Sequence, residues 1–165
     1  MQNGRMKKLT VFAITMVVAG AFVAGVAVGK TTKEPKFITK TELAWDELQP
    51  GGPKMANLAG DYKKGAYLAL FSLPAGVQSP LHTHTADYEA IEIAGTSMHW
   101  LKGEDGSKAK KMTPGSYWMM PGKLEHVSAC EKGTDCLMVL IQKTKFDVQM
   151  PKDATAPAPP APAKK

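Results

Sequence analysis

Short apolar runs alternate with glycine- and proline-rich turns through most of the chain, from residue 41 to residue 148. The runs include GAYLALFSLP, DYEAIEIAG, TSMHWLK, SYWMMP, EHVSAC and DCLMVLIQ, and the segments between runs include QPGGP, PAGVQSP and EKGT. None of these runs forms a convincing amphipathic helix. Short strands separated by regular turns predict an all-β sandwich or barrel. LKGEDGSKAK, with Asp105 and Gly106 at its centre, predicts the tip of a hairpin.

The N-terminus has a different character. Residues 9–29 carry no charge and follow Arg5, Lys7 and Lys8, which resembles an export signal. The run is longer than the usual core of a signal peptide, and at about 20 residues it is long enough to span a bilayer as a hydrophobic helix. A cleaved signal and an uncleaved membrane anchor both place the rest of the chain outside the cytoplasmic membrane. We therefore expect a periplasmic or otherwise exported protein.

The predicted domain organisation follows from these changes in composition. Residues 1–29 are a signal peptide or membrane anchor, residues 30–40 are a polar linker, and residues 41–150 are the folded domain. Residues 151–165, PKDATAPAPPAPAKK, are rich in proline and alanine. Such a segment buries too little apolar surface to order itself, so we expect a disordered tail.

The net charge of +6 comes mostly from the two ends. Residues 30–150 contain 15 lysines against 14 acidic residues, and Arg5 is the only arginine in the chain. A nearly neutral body without arginine lacks the basic surface that nucleic acid requires. It also lacks the bidentate clamp that arginine offers to carboxylates and phosphates. We expect a small-molecule ligand and no nucleic-acid partner.

Three of the four histidines lie in two spaced motifs. In GVQSPLHTH, five residues separate Gly76 from His82, and His84 follows two positions later, on the same face of a strand. GSYWMMPGKLEH runs from Gly115 to His126. Three neutral imidazoles that converge on one point can hold a metal ion and leave coordination positions open for water or substrate. Imidazole suits zinc, iron, nickel and copper, and an added carboxylate favours manganese or iron.

The two motifs resemble those of the cupin superfamily, the RmlC-like jelly rolls. The first cupin motif is Gly, five residues, His-x-His, three or four residues, Glu, six residues, Gly, and the second is Gly, five residues, Pro-x-Gly-x-x-His. The resemblance covers roughly residues 65–142. PLHTHTADY, PGSYW and HVSACEKGTDC are similar to a single-domain subgroup related to the cupin of the anti-sigma factor ChrR and to an uncharacterised cupin family.

This resemblance implies a double-stranded β-helix, the jelly-roll barrel, preceded here by the hydrophobic N-terminal segment. It implies a divalent metal ion, zinc, iron or manganese, held by His82, His84 and His126. Cupins often dimerise, so the resemblance also implies a homodimer.

The fourth ligand departs from the cupin pattern. Counting back seven residues from Gly95 gives Tyr88, whereas counting forward from His84 gives Glu89. One position turns a strand residue to the opposite face, so the two counts predict different sites. Glu89 shares parity with two isoleucines, which favours its face as the inward one. Three alternatives stay open: Glu89 as a ligand, a site of three histidines without a carboxylate, and Glu92, which lies deeper in the barrel.

His99, the fourth histidine, lies beyond both motifs in SMHWL. We interpret it as a partly buried strand residue beside Trp100. The alternative is a role beside the metal ligands or facing the substrate.

Cys130 and Cys136 flank the segment EKGTD. If the strands on either side form a hairpin, the two cysteines lie opposite each other, and an oxidising compartment favours a disulfide between them. The alternative is a pair of thiols near the metal, since Cys130 shares strand parity with His126.

The predicted function is an exported metal-binding cupin that acts on an oxygen-bearing small molecule, by dioxygenase-like or other metal-assisted chemistry. Glu89 or Glu92 would be a ligand or a proton-transfer group. Because cupins also include sensors without catalysis, the alternative is a non-catalytic metal-binding, ligand-binding or sensing module.

Overall fold

The computed structural model describes residues 34–151, which form nine strands and two short 3₁₀ helices. The strands are β1 Asp46–Glu47, β2 Lys54–Gly60, β3 Tyr67–Leu73, β4 Tyr88–Ala94, β5 Ser97–Leu101, β6 Lys111–Met112, β7 Tyr117–Met120, β8 His126–Cys130 and β9 Cys136–Gln142. The 3₁₀ helices are Lys40–Glu42 and Gly106–Lys108. The predicted all-β fold is confirmed.

The strands form two antiparallel sheets. The larger sheet has the order β1-β2-β3-β9-β4-β7, and the smaller one has the order β6-β5-β8. Exposure alternates along β4 and β9, so each of these strands directs every second side chain into the core. The buried core is formed mainly by side chains of β2, β3, β4 and β9, including Met55, Tyr67, Ala69, Met138 and Leu140. This arrangement agrees with the predicted jelly roll.

The predicted hairpin tip is also confirmed. Strands β5 and β6 pair in antiparallel fashion and are joined through the second 3₁₀ helix. The Asp105 carboxylate caps this helix by accepting a hydrogen bond from the Ser107 backbone N–H at 3.0 Å. A Cβ atom on Gly106 would lie 2.7 Å from the Trp100 ring, so the turn requires a residue without a side chain.

Several predictions concern residues outside the described part of the chain. The signal peptide or anchor, the first residues of the linker and all but the first residue of the tail lie there. Within residues 34–151, no helix is both long enough and apolar enough to cross a membrane.

The two cysteines are joined in a disulfide between Cys130 and Cys136, but not across a hairpin. Strand β8 pairs with β5 in the smaller sheet, whereas β9 pairs with β3 and β4 in the larger sheet. The expectation that β8 and β9 form a hairpin is therefore wrong. The disulfide instead ties one sheet to the other where residues 131–135 connect them.

Replacing both cysteines by serine should lower the free energy of unfolding by about 2 kcal/mol, because the cross-link restricts the unfolded chain over a short loop. Urea unfolding of the oxidised protein and of the Cys130→Ser/Cys136→Ser variant measures this difference. The reduced wild-type protein is the matched control and should resemble the variant. Equal stability of all three forms would contradict the prediction.

Candidate metal centre

Three histidine rings meet at one end of the barrel. His126 begins β8, and His82 lies in the connection between β3 and β4, where a backbone bridge pairs it with His126. The ring centres of His82 and His126 are 4.3 Å apart, and those of His84 lie 5.0 Å from His82 and 5.4 Å from His126. One nitrogen atom of each ring lies within 4.8 Å of the other two. All three side chains are buried.

Backbone carbonyl groups fix the orientation and the tautomer of each ring. The Nδ1 atom of His82 lies 2.9 Å from the Pro80 oxygen, that of His84 lies 2.5 Å from the Asp147 oxygen, and that of His126 lies 2.9 Å from the Leu124 oxygen. A carbonyl oxygen can only accept a hydrogen bond, so each Nδ1 carries the proton. Each Nε2 atom therefore keeps its lone pair free.

Burial keeps the three rings neutral. Desolvation, together with the neighbouring rings of His126 and His84, lowers the pKa of His82 to about 4, although the hydrogen bond to the Pro80 carbonyl opposes this shift. Desolvation also lowers the pKa of His84 and of His126. Because a metal ion binds the neutral form of imidazole, these rings are ready to act as ligands at neutral pH.

The residues present fit a divalent metal ion. The Nε2 atom of His126 is buried and has no hydrogen-bond partner, which is unfavourable unless some group binds there. A metal-binding histidine usually donates the N–H of its other ring nitrogen to a carbonyl or carboxylate group, and all three rings make such a contact with a backbone carbonyl. His82, His84 and His126 would hold the ion.

The structure does not bring Glu89 to the histidines. Its side chain is exposed on the outer face of β4, where the Tyr117 hydroxyl donates a hydrogen bond to its carboxylate at 3.2 Å. Ile91 and Ile93 on the same face are 41% and 44% exposed. The interpretation of this face as the inward one was therefore wrong. The inward face carries Tyr88, Ala90 and Glu92.

Glu92 points inward, as the alternative that makes it the fourth ligand requires, but it is not part of the histidine cluster. Its side chain is 1% exposed, and the Ser97 hydroxyl donates to its Oε2 atom at 2.5 Å. The Oε1 atom is buried without a partner. Desolvation raises the pKa of Glu92 to about 7. Among the described residues, the cluster that could hold a metal ion thus contains three histidines and no carboxylate.

His99 faces the same cavity as the metal ligands. It is a partly buried residue of β5, which confirms the first interpretation. Its Nδ1 atom lies 3.0 Å from the Ser128 hydroxyl, and its ring lies 4.6 Å from the Trp118 ring. Desolvation, with smaller contributions from His126 and His82, lowers the pKa of His99 to about 3. Because His99 also borders the cavity, the alternative interpretation, a histidine that faces the substrate, stays a prediction.

A cavity of about 410 Å³ opens beside the histidines. Its size falls within the range of about 300–1,000 Å³ that is usual for small-molecule sites. The side chains of His82, His84, Tyr88, His99 and Ser128 form its polar wall. The apolar wall includes Phe71, Leu73, Val77, Met138, Leu140 and Phe146.

Tyr88, which takes the place of the expected glutamate in one of the two counts, contributes to this polar wall. Its ring lies 5.0 Å from that of His84. Burial raises the pKa of its hydroxyl to about 12, so the group stays protonated at neutral pH. The motif count from Gly95 reached this position, but the sequence analysis treated Tyr88 as a departure from the motif and not as a site residue.

Residues 146–150 form a strap beside the site that sequence analysis missed. The Asp147 carbonyl holds His84, as described above, and the Asp147 carboxylate accepts hydrogen bonds from the Thr85 backbone N–H at 2.9 Å and from the Thr85 hydroxyl. Backbone hydrogen bonds between Thr83 and Gln149 continue the pairing. The strap lies far from both motifs in the sequence, so no spacing pattern could reveal it.

Thr85→Val should lower the affinity for a divalent metal ion by about 10-fold, because the outer contacts of a metal ligand typically contribute that much. The change removes the hydroxyl that holds Asp147 and so loosens the carbonyl that orients His84. Competition of the protein with a chromophoric chelator for Zn²⁺ measures the affinity. Thr83→Val, the same change two residues earlier, is the matched control; an equal loss in both variants would contradict this role of the strap.

The two sheets, the histidine cluster and the adjoining cavity define a cupin fold. An RmlC-like cupin protein from Ralstonia eutropha JMP134 superposes with a TM-score of 0.56 at 17% identity, over 76% of this chain and 78% of that chain. The polyketide cyclase RemF from Streptomyces resistomycificus gives a TM-score of 0.55 at 18% identity, over 70% and 84% of the two chains. These similarities are to the fold alone.

A third similar structure is that of Rhodobacter sphaeroides SigE in complex with the anti-sigma ChrR, with a TM-score of 0.50 and 21% identity over 64% of this chain and 52% of that chain. A comparison with curated protein sequences finds no match. The family model described as a domain of unknown function, DUF4437, matches residues 36–162. This chain therefore belongs to the DUF4437 family, a cupin-like family.

Proposed function

We propose that this protein is a metal-binding cupin that holds a divalent ion, zinc, iron or manganese, on His82, His84 and His126 and binds an oxygen-bearing small molecule at that ion. One observation carries the proposal. Three buried rings have their Nδ1 atoms held by carbonyl groups, and the remaining nitrogens lie close together. That arrangement supports a metal centre more than a set of structural histidines.

We further propose that the bound molecule undergoes metal-assisted chemistry of the dioxygenase-like or Lewis-acid kind, the chemistry that such an ion supplies when bound. The chain's own contribution is to position the ligand between its polar and apolar walls and to keep water out. No buried carboxylate lies among the three histidines in the described residues, so His99 and the Tyr88 hydroxyl are the neutral groups placed to contact the ligand.

A non-catalytic sensing or binding role is the second candidate. The similarity to the SigE complex with the anti-sigma ChrR favours it, because that structure is named as a regulatory assembly. The two candidates share the metal centre and differ in whether the bound molecule turns over.

The experiment that tests the metal centre is a metal analysis of the purified full-length protein after loading with Zn²⁺, Fe²⁺ or Mn²⁺ and gel filtration. We expect one ion per chain. Absence of a retained ion for all three metals would overturn the proposal. Oxygen uptake by the Fe²⁺ or Mn²⁺ form, or turnover of any compound in a metabolite panel, favours the enzyme, and a tightly held Zn²⁺ ion without turnover favours the sensor.

We also propose that the protein is exported, either released after cleavage or anchored through residues 9–29, and that it forms a homodimer. The uncharged run after three basic residues supports export, and the disulfide is consistent with an oxidising compartment. The homodimer rests on the resemblance to other cupins. Cell fractionation tests the first statement, and light scattering of the purified protein tests the second.

A further inference from the structure

We infer that the cavity beside the metal centre selects a ligand with a substantial apolar body and with no charge other than that of the oxygen-bearing group that reaches the ion. This inference rests on the proposed metal centre and adds the chemical class of the ligand. It comes from the composition and the packing of the cavity walls.

The apolar wall belongs to the core of the protein. Leu73, Met138 and Leu140 are at most 5% exposed, although all three border the cavity. Side chains held in a packed core change position little, so this wall is already formed before a ligand binds. A ligand that fills the cavity must place apolar surface against it, since water there would contact groups to which it cannot hydrogen-bond.

The apolar wall reaches the histidines directly. The ring of Phe146 lies 5.7 Å from the ring of His84 and 6.5 Å from the ring of Phe71. A ligand whose polar group lies at His84 therefore meets aromatic surface immediately beyond that group. This continuity places the apolar body next to the metal-binding end of the ligand.

A second charged group on the ligand would have no partner in the cavity. Among the described residues that line it, none is a lysine or arginine, and the only acidic one is Asp147, whose carboxylate is already bonded to Thr85. An unpaired ligand charge buried here is strongly unfavourable. The cavity thus disfavours sugar phosphates and polycarboxylates.

The experiment uses the full-length protein loaded with Co²⁺ and follows the visible absorption of that ion during titration with three hydroxamates. Each hydroxamate offers the same metal-binding group. Acetohydroxamate carries a methyl group, benzohydroxamate carries a phenyl ring, and 4-carboxybenzohydroxamate carries the same ring with a charge far from the metal-binding end. We expect benzohydroxamate to bind at least about 10-fold more tightly than each of the other two, because it alone buries a ring without burying a charge.

Two lysine substitutions provide a matched pair. Val148 borders the cavity and is 49% exposed, and Ile93 lies on the outer face of β4 and is 44% exposed, so both positions can accept a lysine. Val148→Lys should raise the affinity for 4-carboxybenzohydroxamate at least about 5-fold by giving its carboxylate a partner. Ile93→Lys should leave that affinity unchanged.

The outcomes separate this inference from the proposed function. If Co²⁺ does not bind, the proposed metal centre fails and the inference fails with it. If Co²⁺ binds but the three hydroxamates bind with equal affinity, or the carboxylated probe binds most tightly, the metal centre stands and the inference is overturned.

Discussion

Replacement of His126 by alanine should lower the affinity for a divalent metal ion by at least about 100-fold. Removing only an outer contact of a metal ligand already lowers the affinity by up to about 100-fold, and this change removes the ligand itself. His126 is fully buried, and its Nε2 atom has no hydrogen-bond partner. The variant would keep only two of the three imidazoles. Isothermal titration with Zn²⁺ measures the affinity of the variant and of the wild-type protein.

At a concentration below the dissociation constant of the variant, the same ion should raise the melting temperature of the wild-type protein and leave that of His126→Ala unchanged. An ion that binds only the folded state stabilises it by RT ln(1 + L/Kd), where L is the concentration of the free ion. This second measurement also shows whether the variant is folded, since a cooperative melting transition requires a native state. A folded variant that binds Zn²⁺ as tightly as the wild-type protein would show that His126 is not a ligand.

Glu89→Gln and Glu92→Gln distinguish the three ligand sets that the sequence left open. The structure has Glu89 on the outer face and Glu92 outside the histidine cluster, so both variants should bind Zn²⁺ with wild-type affinity. A loss in Glu89→Gln would restore the ligand set predicted by counting forward from His84. A loss confined to Glu92→Gln would favour the deeper carboxylate.

The histidine cluster could be predicted because spacing along the chain determines it. His82 and His84 are two residues apart, and the fold brings His126 opposite His82 through a backbone bridge. The all-β architecture could be predicted for a similar reason, since turns at short intervals leave room only for strands. The strands and the common face of His82 and His84 depend on local patterns, whereas the place of His126 was implied by the resemblance to the second cupin motif.

The inward face of β4 could not be predicted because both of its faces are plausible cores. One face carries Tyr88, Ala90 and Glu92, and the other carries Glu89 and two isoleucines. Hydrophobicity favours the second face, yet a small alanine and a tyrosine occupy the interior while the isoleucines remain partly exposed. The choice depends on how much room the opposite sheet leaves, which strand alternation does not encode.

Pairing between distant strands caused the other error. Neighbouring strands joined by five residues usually form a hairpin, but β8 and β9 find their partners elsewhere, in β5 and in β3 and β4. The cysteines are close in either arrangement, so their sequence could not reveal which one occurs. The strap at residues 146–150 was missed for the same reason, because its contacts with Thr85 and His84 join residues about 60 positions apart.

Glu92 should make the protein less stable as the pH rises from about 4.5 to 7. Desolvation raises the pKa of its carboxyl group in the folded protein to about 7 from an ordinary value of 4.5. Over this interval the unfolded chain releases the proton while the folded chain keeps it, so the folded state binds more protons and stability falls with pH. At about 1.4 kcal/mol for each pKa unit, the loss reaches at most about 3 kcal/mol.

Glu92→Gln removes this titration while keeping the size of the side chain. The buried histidines act in the opposite direction, because their lowered pKa values cost stability as the pH falls below 6.5. The contribution of these histidines is the same in the wild-type protein and in the variant, so it cancels when the two unfolding free energies are subtracted. The unfolding free energies are measured in urea without added metal at several pH values. Between about pH 4.5 and 8, the value for the variant minus that for the wild-type protein should rise by up to about 3 kcal/mol.

The matched control is Glu89→Gln, the same change three residues earlier on the same strand but on the exposed face. It shows what removing a carboxylate from an exposed position of this strand does by itself. If Glu92→Gln gives a constant difference, the Glu92 carboxyl group is ionised in the folded protein throughout. Its buried Oε1 atom would then require a partner that compensates the charge, and the assignment of Glu92 as a neutral core acid would be wrong.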